Sequence, residues 1–160
     1  MRMLQALGAL AAIGVAAVAL PAKAEDGFDA CLVFVQADAE AALGVTAAPE
    51  PVNPKVKRPK VVMGCTYTGF KDSKPVAATV QFKSARTEAE VQKGFDDARL
   101  QFQTKPLYIS GAEAFWSAKT GQLNLRKGRT WIAIAVGPPA IGERDVEQAK
   151  KLAEIMVKKL

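Results

Sequence analysis

Two neighbouring segments alternate apolar and polar residues with a period of two, and this pattern constrains the fold more than any other feature. In residues 61–70 the apolar side chains fall at Val61, Met63, Cys65 and Tyr67. Residues 76–83 repeat the alternation. Such a pattern is typical of strands with one buried and one solvated face. The connection Lys71-Asp72-Ser73-Lys74-Pro75 is short and rich in turn residues, which predicts an antiparallel hairpin.

Three other segments have the spacing of helices. Residues 29–43 have helical features, because Ala39, Ala42 and Leu43 repeat at helical spacing and Gly44 follows at a position that suits a helix C-cap. This helix is expected to start near Ala37, and residues 31–34 either precede it as a separate helical turn or belong to it. Thr87 and Glu90 have the spacing of a capping box and precede an apolar repeat. Residues 143–160 carry their apolar side chains on one stripe, which predicts a closing amphipathic helix.

Further strands are predicted after the second helix. Short strands fit residues 107–109 and 112–118, and clearer ones fit residues 123–126 and 130–136. The last of these is apolar on both faces, which predicts a central place in the sheet. A tight basic turn, residues 127–129, joins the last two strands.

These elements predict an α+β fold. We expect an antiparallel sheet with three helices packed mainly on one face, in the order α-β-β-α-β-β-β-α, with three or at most four strands after the second helix. A length of 160 residues fits one domain.

The N-terminus has the features of a cleavable secretory signal. Arg2 precedes an uncharged apolar run, Pro21 ends this run, and Ala22-Lys23-Ala24 offers the small-residue pattern that signal peptidase accepts. The run is barely long enough to span a membrane and lacks a positive stop-transfer flank. We therefore expect residues 1–24 to be removed and residues 25–160 to form a single α+β domain, periplasmic or secreted, with no transmembrane span.

The mature chain is mildly basic. Removing Arg2 and Lys23 leaves 20 Lys and Arg against 16 Asp and Glu, a net charge of +4. Such an excess favours acidic partners weakly. Nucleic acid is not expected, because export removes the usual partner and no basic stripe interleaved with aromatic residues occurs.

The two cysteines, Cys31 and Cys65, both lie in the mature chain. In an oxidising compartment an even pair favours a disulfide. A redox pair or a zinc site is the alternative, but redox pairs usually have C-x-x-C spacing and zinc needs further ligands. We expect one structural disulfide.

The chain contains no histidine. This excludes Ser-His and Cys-His nucleophile pairs, imidazole haem ligation and HExxH zinc sites. Carboxylate catalysis needs two acids in one pocket. Most acids here fall on the polar faces or first turns of predicted helices, where they have a structural explanation. Glu113 is the acid most worth testing. No catalytic residue, metal ligand or cofactor is predicted.

Two features suggest a binding surface. The first is a basic loop with a second basic segment as its possible neighbour, comprising Lys55, Lys57, Arg58 and Lys60 together with Arg126, Lys127 and Arg129. Four cations in the six residues 55–60, with no acid, exceed what solubility requires. The second is Trp116, near Trp131 in the expected sheet order, where aromatic side chains either line a groove or fill the core.

Several short motifs resemble a broad set of small exported bacterial domains of unknown function. They are Ala41-Ala42-Leu43-Gly44, Gly64-Cys65-Thr66-Tyr67, the stretch from Gly111 to Trp116, Leu123-Asn124-Leu125-Arg126-Lys127-Gly128 and the closing amphipathic helix. The resemblance spans most of the mature chain. It implies the fold and an exported location, and it implies no active-site residue.

Three functions are compatible with these observations. The leading hypothesis is a non-catalytic binding domain that recognises an envelope protein or an anionic polymer through one sheet face or the basic loop. The alternative is a proteinaceous inhibitor of a secreted or envelope hydrolase. A carboxylate-only enzyme is the third.

Overall fold

The computed structural model describes residues 28–52, 63–83, 87–102 and 104–160. Within these ranges the chain forms four α-helices and six strands. The helices are α1 (Ala30–Val33), α2 (Gln36–Leu43), α3 (Glu88–Gln101) and α4 (Val146–Val157), with a 3-10 turn at Ile141–Glu143. The strands are β1 (Gly64–Lys71), β2 (Lys74–Lys83), β3 (Lys105–Ile109), β4 (Ala112–Ser117), β5 (Gln122–Lys127) and β6 (Thr130–Gly137).

The α+β class and the antiparallel sheet are confirmed. The strand order is β1-β2-β6-β5-β4-β3, and each neighbouring pair is antiparallel. β6 lies between β2 and β5, as its two apolar faces predict. Four strands follow α3 instead of the three in the expected order, because both short segments before β5 form a hairpin.

The segment predicted as helical, residues 29–43, forms two helices, so its first part is the separate helical turn that the sequence left open for residues 31–34. An aspartate stabilises the first turn of each helix by accepting a backbone N–H there. Asp29 Oδ1 accepts a hydrogen bond from the Cys31 N–H at 2.8 Å and starts α1. Asp38, the third residue of α2, accepts one through Oδ2 from the N–H of the N-cap residue Val35 at 3.0 Å.

The helices lie on both faces of the sheet, three on one and one on the other. Helices α1, α2 and α4 cover what we call the core face, where Leu152 and Met156 are fully buried with Cys65. Helix α3 covers β4, β5 and β6 on the opposite side, which we call the α3 face. There the ring of Phe95 lies 4.8 Å from that of Phe115 and 6.0 Å from that of Trp131.

The predicted disulfide between Cys31 and Cys65 is confirmed. Their Cα atoms lie 5.2 Å apart, and the bond ties α1 to the core face of β1. Tyr67, two residues along the same strand, packs edge-on against Phe34. Burial raises the pKa of Tyr67, and the carboxylates of Asp29 and Asp38 add to the increase, while a hydrogen bond with the Gln36 backbone opposes it.

The outer edge of β1 is lined by the chain that follows α2. Ala47 pairs with Gly69 and Val52 pairs with Thr66, both antiparallel. The approach is close, because a Cβ added to Gly69 would lie 2.7 Å from the Thr46 carbonyl oxygen. The glycine therefore allows this segment to shield an edge that would otherwise expose unpaired backbone groups.

No helix within the described ranges is both long and apolar enough to cross a membrane. The predicted signal sequence, residues 1–24, lies outside these ranges, as do Lys55, Lys57, Arg58 and Lys60 of the basic loop.

Candidate interaction surface

Five side chains form one row across the α3 face, near the turn that joins β5 and β6. The strand register aligns Tyr108 with Glu113, Glu113 with Arg126, Arg126 with Trp131, and Trp131 with Lys83. Side chains directly opposite one another on neighbouring strands are about 5 Å apart at Cβ, so adjacent members of this row are close enough to interact. The row brings two of the sequence-predicted residues together, Arg126 and Glu113.

Arg126 is the best connected member of the row. Its Nη2 donates a hydrogen bond to the Glu113 carboxylate, and its Nη1 lies 3.8 Å from Glu88 Oε1 at the start of α3. The same Nη1 donates to the Gly128 carbonyl at 3.1 Å, while Nε is buried without an acceptor among the described residues. Its side chain is only 12% exposed. Arg126 thus links two strands to α3, and two carboxylates offset its charge.

Trp131 is packed into the layer beneath α3. Its indole N–H donates to Asn124 Oδ1 at 2.9 Å, which satisfies two buried polar groups at once. Lys83 places its ammonium 5.9 Å from the indole centroid, a cation–π contact. Gly94 lies against the ring, and a Cβ there would come within 3.1 Å of it.

The other basic residues of this turn have different surroundings. Lys127 Nζ donates to the Val157 carbonyl at 2.9 Å and so satisfies an orphan carbonyl at the end of α4. Arg129 is exposed in the two-residue turn, where Gly128 has φ 55°. Glycine at the first central position matches a type II′ hairpin, so the predicted tight turn is confirmed.

The basic loop, which we expected beside this turn, lies outside the described residues. Met63, which follows the loop in the chain, is described. The Met63 carbonyl accepts a hydrogen bond from the Phe82 N–H at 2.7 Å, and Phe82 pairs with Ile132 near the start of β6. Met63 is therefore at the same end of the sheet as the β5–β6 turn.

Trp116 and Trp131 lie on opposite faces of the sheet. Trp116 pairs with Leu123 and packs, partly buried, against the core-face cluster. Trp131 lies beneath α3. The two indoles therefore line no common groove, and Trp116 fills core volume.

Sequence reasoning missed two exposed aromatic residues on the α3 face. Phe70, near the end of β1, is 72% exposed, and Tyr108, on β3, is 82% exposed. Val52, aligned with Thr66 beside β1, is also exposed on this face. The signal was present in the alternation, because Phe70 falls in phase with the polar Thr66 and Thr68.

Comparison of this chain with family models, curated proteins and solved structures returns no match. The resemblance to small exported bacterial domains therefore stays an expectation that rests on the motifs. Within the described part of the chain, no three Cys, Asp or Glu side chains gather closely enough to hold a metal ion.

Proposed function

We propose that this chain is an exported, non-catalytic binding domain that recognises a protein of the cell envelope or its surroundings through the α3 face of its sheet. The observation that carries the proposal is the exposure of two aromatic side chains on this face, Phe70 on the edge strand β1 and Tyr108 on the opposite edge strand β3. Exposed aromatic residues on a rigid scaffold are the usual anchors of protein interfaces.

The location is supported by the disulfide between Cys31 and Cys65. Disulfides persist in oxidising compartments and are rare in the cytosol. The predicted signal sequence in residues 1–24 points to the same compartment.

A protein partner is favoured over an anionic polymer by the charges around Arg126. Glu113 and Glu88 offset its charge, and Lys127 is engaged by the end of α4. A polyanion is attracted by an uncompensated positive field, which these contacts reduce. An anionic polymer is the alternative ligand, because the basic loop carries four cations in residues 55–60.

Affinity capture from envelope extract tests the proposal. The bait is the mature chain, residues 25–160, compared with its Tyr108→Ser variant and with Leu32→Ser, which removes an equally exposed side chain from α1 on the core-face side. We expect one protein to be retained in stoichiometric amount by the wild type and Leu32→Ser, and retention to fall in Tyr108→Ser.

The salt dependence of capture separates the two ligand classes. Raising the salt to about 0.5 M reduces the Debye length to a few ångströms and weakens polyanion binding steeply. Retention that persists at this salt supports the protein partner. Retention of polysaccharide or lipid only, lost with salt, would assign the function to the basic loop, and no retained component would contradict the binding proposal.

An inhibitor of a secreted or envelope hydrolase is the second candidate, and the β1–β2 hairpin favours it. The pairing of β2 with β6 stops at Ala77, whereas the pairing of β2 with β1 continues to Lys74 at the hairpin turn. A rigid projection of this kind suits insertion into an enzyme cleft. Co-purification with a hydrolase whose turnover falls in the complex would support this reading.

A further inference from the structure

We propose that the tip of the β1–β2 hairpin, residues 70–75, inserts into a cleft of the partner protein that has an apolar floor and carboxylates on its walls. The inference rests on the proposed function and assigns one contact site at the β1 edge of the sheet, in addition to Tyr108 at the β3 edge. We call these six residues the hairpin tip.

The hairpin tip projects from the sheet. β1 and β2 remain paired as far as Lys71 and Lys74, whereas the pairing of β2 with β6 ends at Ala77. Val76 is still buried in the core, opposite Gly69, so the first two residues of β2, Lys74 and Pro75, extend past the rest of the sheet. Their reach is about 7 Å. All six residues of the tip are exposed.

The two faces of the hairpin tip carry different chemistry. Phe70 is opposite Pro75 in the ladder, and Lys71 is opposite Lys74. Because successive side chains of a strand point to opposite faces, the apolar pair and the lysine pair lie on opposite sides of the tip. A partner that contacts both pairs must surround the tip, so a cleft fits better than a flat surface.

The backbone of the hairpin tip takes an unfavourable form for its sequence. Asp72 has φ 51° and Ser73 has φ 61°, so both central residues of the turn are left-handed. This is the pattern of a type I′ turn, for which Asn-Gly is the preferred sequence. Asp72 suits the first central position of such a turn, but Ser73 occupies the second, where glycine would avoid the backbone cost.

The side chains of the tip also oppose stability. Lys71 and Lys74 face each other across the ladder, and like charges directly opposite destabilise a strand pair. Phe70 leaves most of its ring in water. Two local rules are thus broken next to an exposed aromatic ring, and such departures concentrate at functional sites.

The chemistry of the tip defines its partner. A ring such as Phe70 gains most when buried in an apolar pocket, and Lys71 and Lys74 need carboxylates within reach on the other side. The strand pairing holds the tip in one conformation, which lowers the entropy lost on binding.

Site-specific photocrosslinking in the native host tests the assignment on the full chain. The probe is p-benzoylphenylalanine, introduced at Phe70 and, as a control of equal exposure, at Leu32. We expect position 70 to form one adduct with a heterologous protein and position 32 to form none. Mass spectrometry of the crosslinked peptide should locate it in a cleft with apolar residues and Asp or Glu.

Charge reversal provides the second readout. Lys71→Glu combined with Lys74→Glu should reduce the yield of the adduct at least about tenfold, the effect of losing an interface hot spot. The matched control is Lys151→Glu combined with Lys158→Glu, which changes the net charge equally at exposed positions in and directly after α4. The control should leave the yield unchanged, and circular dichroism should show both variants folded.

Four results would overturn the inference. They are no adduct from position 70, the same adduct from position 32, an adduct of twice the mass of this chain, and equal losses from the two charge-reversal pairs. The third would assign the tip to self-association. If affinity capture still retains a protein partner while position 70 gives no adduct, only the tip assignment fails. If neither experiment detects a partner, the proposed function fails with it.

Discussion

Lys159 forms an ion pair with Asp38, 121 positions earlier in the chain, with 2.5 Å between Nζ and Oδ2. The same ammonium donates to the Val33 carbonyl at 3.1 Å. The residues after α4 are thereby fixed to the α1–α2 connection. Because the Asp38 side chain is largely buried and also accepts the Val35 N–H, one carboxylate both stabilises the first turn of α2 and pairs with Lys159.

Replacing Asp38 should destabilise the protein. Asp38→Ala removes the acceptor of the Val35 N–H at the start of α2 and leaves Lys159 without its carboxylate, so we expect the free energy of unfolding to fall by about 2 kcal/mol. Urea denaturation measures the loss. Lys158→Ala, at the exposed neighbouring position, should change stability by less than about 0.5 kcal/mol. A loss below about 0.5 kcal/mol in Asp38→Ala would contradict a stabilising role for these two contacts.

Removing the disulfide should have a larger effect. Cys31 and Cys65 are 34 positions apart, so the bond restricts a long loop of the unfolded chain. Cys31→Ala with Cys65→Ala should lower the free energy of unfolding by about 3.5–4 kcal/mol on the chain-entropy account. Chemical denaturation of the oxidised wild type and the double variant measures the difference. A loss below about 1 kcal/mol would contradict a structural role for the bond.

A glycine in the turn between β1 and β2 should stabilise the protein. Ser73→Gly relieves a left-handed residue with φ 61°, and we expect it to raise the free energy of unfolding by about 1 kcal/mol. The control replaces a glycine at another left-handed position. Gly111 has φ 80° and open space around it, so Gly111→Ala should cost a similar amount through backbone strain alone. Thermal or urea denaturation measures both. A Ser73→Gly variant that is not stabilised would remove the strain argument from the tip.

Local patterns predicted the elements well, because each signal is contained in a few neighbouring residues. The alternation around Cys65 predicted β1 and its buried face. The capping-box spacing of Thr87 and Glu90 predicted the start of α3, and the structure confirms this capping box. Residues 143–160 gave the closing helix, although α4 begins only at Val146, where Asp145 caps it.

Relations across the sheet were not predictable from the same signals. Placing Trp116 and Trp131 on opposite faces requires the register of β4, β5 and β6, which no local pattern contains. The basic residues of the β5–β6 turn likewise have partners far away in sequence. Lys127 reaches Val157, and Arg126 reaches Glu88. Composition marked these cations as a surface, but only the fold shows that two of them hold other elements in place.

Gly94 illustrates how a distant contact can reverse a local expectation. In the middle of α3 a glycine costs about 1 kcal/mol relative to alanine, so Gly94→Ala should stabilise an isolated helix. In the folded chain the added Cβ would lie 3.1 Å from the Trp131 ring, and overpacking of this kind costs about 1–3 kcal/mol. We therefore expect Gly94→Ala to give no gain, or a net loss of up to about 2 kcal/mol.

A double-mutant cycle separates the two effects of Gly94→Ala. In a Trp131→Leu background the ring is gone, so the same substitution should raise the free energy of unfolding by about 1 kcal/mol, the full helix-propensity gain. Urea denaturation of the four proteins gives the coupling energy between positions 94 and 131. A coupling energy near zero, with Gly94→Ala stabilising both backgrounds equally, would contradict the close contact between Gly94 and the Trp131 ring.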